Sequence, residues 1–177
     1  MVLMQEVYIP VDRIKKLSTD KRLEAIEKAA KCHLDVEAKE NAVKIEGDGY
    51  SEFVAKNILM AFGRGFGVST ACLLASEDYY FSYIDLSRSI SSEKRIEQVK
   101  ARIIGEHGRA KKYIESVSSA HISIYGNTVG FIGRSECIKE AEVAVETLIE
   151  GSTHKLAYSR MEALHRKNNR ILKDASF

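Results

Sequence analysis

A Gly-x-x-Gly sequence between two helical segments constrains the fold of this chain more than any other feature. Residues 102–115 comprise an apolar helix end, the two glycines and a basic amphipathic helix. Two glycines three residues apart let the backbone turn tightly and approach a ligand closely, since neither carries a Cβ. The second helix begins at Gly108 or Arg109, so its free N–H groups and the positive end of its dipole point to one place. The sequence therefore predicts an anion site there. Four basic side chains surround it: Arg102, Arg109, Lys111 and Lys112.

The segments around this loop follow the order strand, helix, loop, helix, strand, turn, strand, helix. A strand over residues 79–86 comes first, and residues 121–125 alternate as a strand does. A Gly-Asn turn, a strand over 129–132 and a helix with apolar residues at helical spacing follow. A second Gly-x-x-Gly, at 130–133, lies in an apolar strand-like run, so the surroundings of the first copy carry the prediction. The order resembles a type I KH domain, whose GXXG loop clamps four nucleotides of single-stranded RNA or DNA.

The first part of the chain repeats this pattern. Strand, helix, helix, strand, strand, helix are predicted over residues 6–63. The segment from Ile26 to His33 matches the one beginning at Ile114 with an offset of 88 positions, and later residues match at 86. Arg13 matches Arg102 at an offset of 89. The sequence therefore predicts an α+β fold of tandem type I KH domains, β-α-α-β-β-α, with three-stranded antiparallel sheets packed by helices, and a C-terminal helix.

Four segments are expected. Residues 1–65 form a degenerate KH domain, 66–78 a linker with a short helix, 79–151 a KH domain with the GXXG loop, and 152–177 a basic C-terminal helix. The first domain has Lys-Leu-Ser-Thr-Asp at 16–20 where the second has its glycines. Because a backbone clamp needs glycine, we expect the first domain to have lost RNA clamping and to serve in packing or protein binding. The alternative is a phosphate held by the hydroxyls of Ser18 and Thr19.

Charge is distributed unevenly along the chain. The net charge is only +2, from 27 basic and 25 acidic residues, so a whole-chain nucleic-acid signature is absent. Residues 95–119 carry six basic and three acidic residues, and 151–177 carry six and two, whereas 35–62 carry three and six. Positive charge therefore gathers around the Gly-x-x-Gly loop and in the C-terminal helix. Whether that helix extends an RNA groove or presents an ordinary solvated face remains open.

The composition favours a cytoplasmic binding protein. Residues 1–6 have no signal-peptide character, and no apolar run reaches the ~18 residues that a membrane span needs. Three widely spaced cysteines, Cys32, Cys72 and Cys137, indicate neither a disulfide framework nor a zinc site. The five histidines have no metal-ligand spacing, and no nucleophile–base pair is evident. We expect no catalytic residues, no metal and no cofactor.

The pieces together resemble one family. They are the Arg-Gly-Phe at 64–66, the short helix and acidic-aromatic strand that follow, the Ile-Ile-Gly-x-x-Gly-Arg at 103–109, and the Gly-Ser at 151–152 before a basic helix. The chain resembles the archaeal and eukaryotic KH-domain factor of small-ribosomal-subunit assembly. The resemblance implies a non-enzymatic protein that binds precursor rRNA near the small-subunit rRNA 3′ end. It implies as partners the endonuclease that trims this end and, for archaeal members, the alpha subunit of translation initiation factor 2.

The predicted site combines the loop with its neighbours. The loop would pack against the sugar-phosphate backbone, and the basic residues would contact phosphates. Isoleucines are candidates for the floor of an apolar groove, although most of them are expected in the core. The predicted RNA-binding residues are Arg102, Ile103, Ile104, Gly105, Glu106, His107, Gly108, Arg109, Lys111, Lys112 and Ser123. Glu106 and His107 depart from the family, which often has Lys or Arg there. The rival functions are a protein-interaction scaffold with incidental RNA contact and a general single-stranded RNA binder.

Overall fold

The computed structural model describes residues 5–18 and 21–174, and they form two compact units. The first unit spans residues 1–81 and the second 82–177. Each unit has a three-stranded antiparallel sheet. Its middle strand is the last of the three in the sequence, which gives the strand orders β1-β3-β2 and β4-β6-β5. The predicted α+β architecture with tandem KH-type units is thereby confirmed.

The first unit begins with a strand and two short helices. Ile14 and Leu17, three residues apart, are on the buried face of the first helix. The third helix begins at Gly49, where the Asp48 carboxylate accepts the backbone N–H of Tyr50 and Ser51 as an N-cap. The elements are β1 (Gln5–Tyr8), α1 (Val11–Ser18), α2 (Arg22–Ala30), β2 (His33–Glu37), β3 (Ala42–Glu46), α3 (Gly49–Gly63) and α4 (Val68–Ala71), with a 3-10 turn at Cys72–Ala75.

The predicted 66–78 linker contributes to this first unit. Helix α4 and the 3-10 turn after it pack against α2 and α3. Phe66 is buried, and its ring meets that of Phe81 edge-on with centroids 6.2 Å apart. The short helix that the sequence predicts in this linker is present over residues 68–75, and its second half has 3-10 geometry.

The second unit repeats the order of elements and adds a long helix. Its core joins the apolar faces of α5, α6 and α7 to the sheet, with Phe131 fully buried in the middle strand. The added helix α8 packs against α6 and α7, and its Ala157 and Met161 belong to the same core. The elements are β4 (Tyr80–Asp85), α5 (Glu93–Ile104), α6 (Arg109–Ser118), β5 (His121–Tyr125), β6 (Thr128–Gly133), α7 (Ser135–Ile149) and α8 (His154–Asp174).

Matching residues of the two units make the same contacts. The Glu27 carboxylate accepts the Leu34 backbone N–H at 2.8 Å, and Glu115 accepts that of Ile122 at the same distance. The helices that carry these two glutamates, α2 and α6, are each followed by a non-glycine residue of positive φ. The angle is 58° at Lys31 after α2 and 61° at Ser119 after α6. The two-residue change of offset lies in the hairpin: four residues join β2 to β3, whereas two join β5 to β6.

An arginine clamp is the clearest repeated device. In the first unit, the Arg13 side chain donates to the carbonyl oxygens of Phe62 at 2.9 Å and Phe66 at 2.5 Å. In the second, Arg102 donates to the Leu148 carbonyl at 2.9 Å and also to that of Ser152. Each guanidinium thus satisfies carbonyl groups where the last helix of the β-α-α-β-β-α unit ends.

Candidate nucleic-acid interface

The loop between α5 and α6 has a backbone that few sequences can adopt. Gly105 has φ 73° and ψ 172°, His107 has φ 53° and ψ 27°, and Gly108 has φ 76° and ψ 13°. The Gly105 N–H donates to the Ala101 carbonyl at 2.8 Å, which closes α5, and the Gly108 N–H donates to the Gly105 carbonyl at 3.1 Å. Three of the four loop residues therefore have positive φ, and the chain turns directly from one helix into the next.

The two glycines meet different surroundings. A Cβ on Gly105 would lie 2.6 Å from the Ala110 Cβ and 2.7 Å from the Ala110 nitrogen, so only glycine fits between the helices. A Cβ on Gly108 would have no heavy atom within 4 Å. The backbone at Gly108 is consequently open to the outside, which is what close approach of a phosphate requires.

The predicted basic residues divide into two groups. Arg109 and Lys112 are exposed, and neither forms an ion pair within the described ranges. Lys111 is held by Glu115, with Nζ 3.0 Å from Oε1. Arg102 is occupied by the clamp, so the structure places it in the fold and not at the loop surface, in contrast to the predicted phosphate contact. Arg109 and Lys112 are therefore the exposed cations without an ion pair on the first turn of α6 in the described chain.

Glu106 and His107 are at the tip of the loop. Their side chains are 78% and 81% exposed, and the His107 Nε2 lies 3.8 Å from a Glu106 carboxylate oxygen. A pair so exposed is worth little, because water screens it. The exposed Glu106 carboxylate therefore adds a negative charge at the loop tip.

The two isoleucines before the loop differ in exposure. Ile103 is fully buried in the core of the second unit, so it cannot line an exposed groove in this structure. Ile104, one residue later on the helix, is 38% exposed beside Gly105. The sequence analysis placed both isoleucines at the predicted site, although it expected most isoleucines in the core. The structure distinguishes the two, because only Ile104 provides apolar surface next to the loop.

Strand β5 presents a free edge because it is an outer strand of its sheet. The Ile122 N–H points away from β6, since it donates to Glu115. By the two-residue period of a strand, the backbone groups of Ile124 point to the same edge, whereas those of Ser123 face its partner Gly130 on β6. The Ile122 and Ile124 side chains pack on the core, which directs the Ser123 side chain to the other face. The backbone groups of Ile124 are thus at the outer edge of β5, whereas those of Ser123 are paired within the sheet.

Tyr113 is a second residue that the sequence analysis did not select. It lies four residues after Arg109, on the same face of α6, and is 38% exposed. Its hydroxyl donates to the Glu162 carboxylate of α8 at 2.5 Å, and its ring lies 4.4 Å from that of Tyr158. The Glu162 carboxylate raises the pKa of Tyr113, while burial raises the pKa of Tyr158. The sequence signal that could have selected Tyr113 is an aromatic residue among basic residues on one helix.

The corresponding place in the first unit has a different structure. Helix α1 continues to Ser18, one helical turn beyond the point that matches the end of α5. The Ser18 hydroxyl donates to the Ile14 carbonyl at 3.0 Å, which engages it in the helix. Thr19, which the sequence analysis weighed as a phosphate ligand, and the next residue, Asp20, lie outside the described residues. The described part of this segment has no positive-φ glycine pair.

The part of the chain that the structure describes has neither a metal site nor a membrane-spanning helix. No group of three or more His, Cys, Asp or Glu side chains is arranged to hold a metal ion. None of the described helices is both long enough and apolar enough to cross a membrane.

Comparison with known proteins supplies the family. Residues 80–166, which contain the loop, match the model of the eukaryotic type KH domain (KH-domain type I). The chain is 36% identical over 169 residues to a KH domain-containing protein of Methanocaldococcus jannaschii, covering 92% of this chain and 74% of that one. It is 30% identical over 110 residues to the pre-rRNA-processing protein pno1 of Aspergillus fumigatus, of which the match covers 43%.

A solved structure extends the similarity over nearly the whole chain. The crystal structure of an a/eIF2alpha–aDim2p–rRNA complex from Pyrococcus horikoshii superposes with a TM-score of 0.84 at 34% identity, covering 94% of this chain and 97% of that one. At 94% coverage the match includes most of both units. The chain belongs to the Pno1/Dim2 family of KH-domain proteins.

Proposed function

We propose that the second unit binds single-stranded RNA, namely precursor rRNA near the 3′ end of the small-subunit rRNA, and that the chain acts in small-subunit assembly. The observation that carries the proposal is the loop at 105–108. It has an open backbone at Gly108 and a helix N-terminus directly after it. Two cations on the first turn of that helix have no ion-pair partner among the described residues.

The geometry supports a division of roles. Backbone N–H groups at the start of α6, with Arg109 and Lys112, hold phosphates and carry no sequence information. Ile104 provides apolar surface for a base, and the free edge of β5 at Ile124 offers backbone groups to base edges. An exposed groove of this kind accepts an unstacked strand rather than a duplex, since the bases must reach the protein surface.

The relatives support the choice of RNA and partners. The Pyrococcus structure contains rRNA and a/eIF2alpha, and the Aspergillus relative is a pre-rRNA-processing protein. We accordingly propose rRNA and the alpha subunit of initiation factor 2 as partners of this chain. The endonuclease of the rRNA 3′ end is a further proposed partner, which the family resemblance suggests. We propose a cytoplasmic binding protein without a catalytic role.

The direct test is the binding of a fluorescent single-stranded oligonucleotide that matches the small-subunit rRNA 3′ end, beside a scrambled one. We expect tighter binding of the rRNA sequence, and an affinity that falls as salt rises because bound phosphates release counterions. Equal, weak binding of both would instead support a scaffold whose RNA contact is incidental. Equal, tight binding would support a general single-stranded RNA binder.

A single substitution tests the loop. His107→Asp places a second carboxylate at the loop tip and should lower RNA affinity severalfold, because one exposed charge pair at 4 Å is worth about 1 kcal/mol in water. Ala38→Asp, in an exposed turn of the first unit, changes the net charge equally and should leave affinity unchanged. Unchanged affinity of the His107 variant would contradict phosphate binding by the loop at 105–108.

A further inference from the structure

The first unit has an open cleft with aromatic walls. Its volume is about 380 Å³, and it lies between one face of α3 and the segment that leads from the 3-10 turn into β4. All its lining residues belong to the first unit. The residues that the argument uses are Tyr50, Phe53, Tyr79, Tyr80, Phe81 and Glu77.

Three of these rings are unusually exposed. Tyr50, Phe53 and Tyr80 are 58%, 60% and 54% exposed, although each ring carries a large apolar area. Tyr50 and Phe53 are three residues apart on α3 and therefore share its outer face. Aromatic rings gathered at one cleft, and not scattered singly, mark a surface that a partner covers.

The surroundings of the cleft are acidic. Its two wall segments, residues 48–57 and 74–81, contain four carboxylates and one basic residue, Lys56. No lysine or arginine lines the cleft itself within the described residues. Asp48, at the start of α3, stays ionised because the backbone N–H of Ser51 lowers the pKa of its carboxyl. The unit as a whole has 11 basic and 13 acidic residues, whereas the second has 16 and 12.

We propose that this cleft is the docking site for an arginine- or lysine-bearing segment of a partner protein. A cation over the face of a tyrosine or phenylalanine ring is attracted by the ring quadrupole, and Glu77 at the cleft supplies the opposite charge. The stem of a long basic side chain covers apolar surface while its head meets the Glu77 carboxylate. A nucleic-acid strand has bases able to stack on the rings, but its phosphates would face the net negative charge of both wall segments.

The inference extends the proposed function without depending on RNA binding. It gives the first unit, in which α1 replaces the GXXG loop, a partner surface of its own. Failure of the cleft proposal would leave RNA binding by the second unit untouched, because the two are measured with different ligands and different variants.

The test uses the full chain and three short blocked peptides in which glycine alternates with arginine, with glutamate or with leucine. Binding is followed by NMR from the ring signals of Tyr50, Tyr79 and Tyr80. We expect the arginine peptide to shift these signals in a saturable way, with the glutamate and leucine peptides producing little change. The arginine peptide should also bind less tightly at high salt.

Variants locate the effect. Phe53→Ser removes an exposed ring and Glu77→Lys reverses the charge at the cleft, and each should weaken binding of the arginine peptide roughly fivefold or more. The matched controls are Tyr8→Ala, an exposed ring on β1, and Glu24→Lys, an exposed carboxylate on α2, and both should bind as the unmodified chain does. The Phe53 variant should keep the RNA affinity of the original chain.

Three results would overturn the proposal. Equal binding of the leucine and arginine peptides would make the cleft a plain apolar docking site. Shifts of the same tyrosine signals by oligouridine at a comparable affinity would make it an RNA site. Equal loss of arginine-peptide binding in the control variants would show that the peptide responds to net charge and not to this cleft.

Discussion

Gly105 and Gly108 are glycines for different physical reasons, so their substitution should have different costs. Gly105→Ala places a Cβ against Ala110 in a backbone region that is essentially confined to glycine, and we expect a loss of about 2–5 kcal/mol. Gly108→Ala meets open space and pays only for its left-handed φ, about 1 kcal/mol. Urea unfolding followed by circular dichroism measures both free energies.

Asparagine offers a control for this comparison. Gly108→Asn should be less costly than Gly108→Ala, because asparagine tolerates left-handed φ better than other non-glycine residues. Equal losses for Gly105→Ala and Gly108→Ala would contradict the packing argument and leave only the backbone conformation as the cause.

Adjacent lysines on α6 should contribute unequally to RNA binding. Lys112 is exposed and unpaired within the described chain, whereas Lys111 is held by Glu115. We expect Lys112→Gln to lower the slope of log affinity against log salt by about 0.7, the value for one phosphate of a single strand. Lys111→Gln, the matched control, should change the slope much less. A larger change at Lys111 would mean that RNA breaks its ion pair with Glu115.

Arg102 joins three helices, so it belongs to the fold more than to the ligand. Its guanidinium bridges the Leu148 carbonyl near the end of α7 and the Ser152 carbonyl between α7 and α8. The Arg102 backbone carbonyl oxygen lies 2.9 Å from the His154 Nε2 at the start of α8. Arg102→Lys loses the planar fork that reaches two carbonyls at once, and we expect it to destabilise the second unit by about 2 kcal/mol.

The Arg102 variant distinguishes a structural from a phosphate-binding role. If the clamp is its role, unfolding occurs at lower urea concentration while the salt slope of RNA binding is unchanged. Arg13→Lys, in a unit without the GXXG loop, should lower stability by a comparable amount through the same loss. A reduced salt slope with unchanged stability for Arg102→Lys would restore the phosphate contact that the sequence predicts.

Charge separates the two units of the molecule, with a net −2 on the first and +4 on the second. We therefore expect RNA to affect the second unit alone. Hydrogen exchange of the full chain, with and without the rRNA oligonucleotide, should show protection at residues 104–112 and along β5. Residues 14–18 of α1 should exchange at the same rate in both samples. Protection there would mean that the first unit also contacts RNA.

The type and order of the elements, and their repetition, were predictable from the sequence. Helical and strand periods of apolar residues are local properties, and a glycine pair between two such helices is a local cause of a tight turn. The offsets that match Arg13 to Arg102 and Ile26 to Ile114 likewise needed no coordinates, since two copies of one pattern predict one fold twice. The family resemblance followed from the same local features.

Tertiary structure alone decided which side chains are available to a ligand. Ile103 and Ile104 look alike in sequence, but helix packing buries the first and exposes the second. Arg102 looks like a phosphate ligand until the carbonyls of Leu148 and Ser152, about 50 residues away, are brought to its guanidinium. The aromatic cleft joins α3 to the segment before β4 in the same way. Local sequence determines backbone conformation, whereas the surface available to a partner depends on what distant segments cover, and that is settled only when the chain packs.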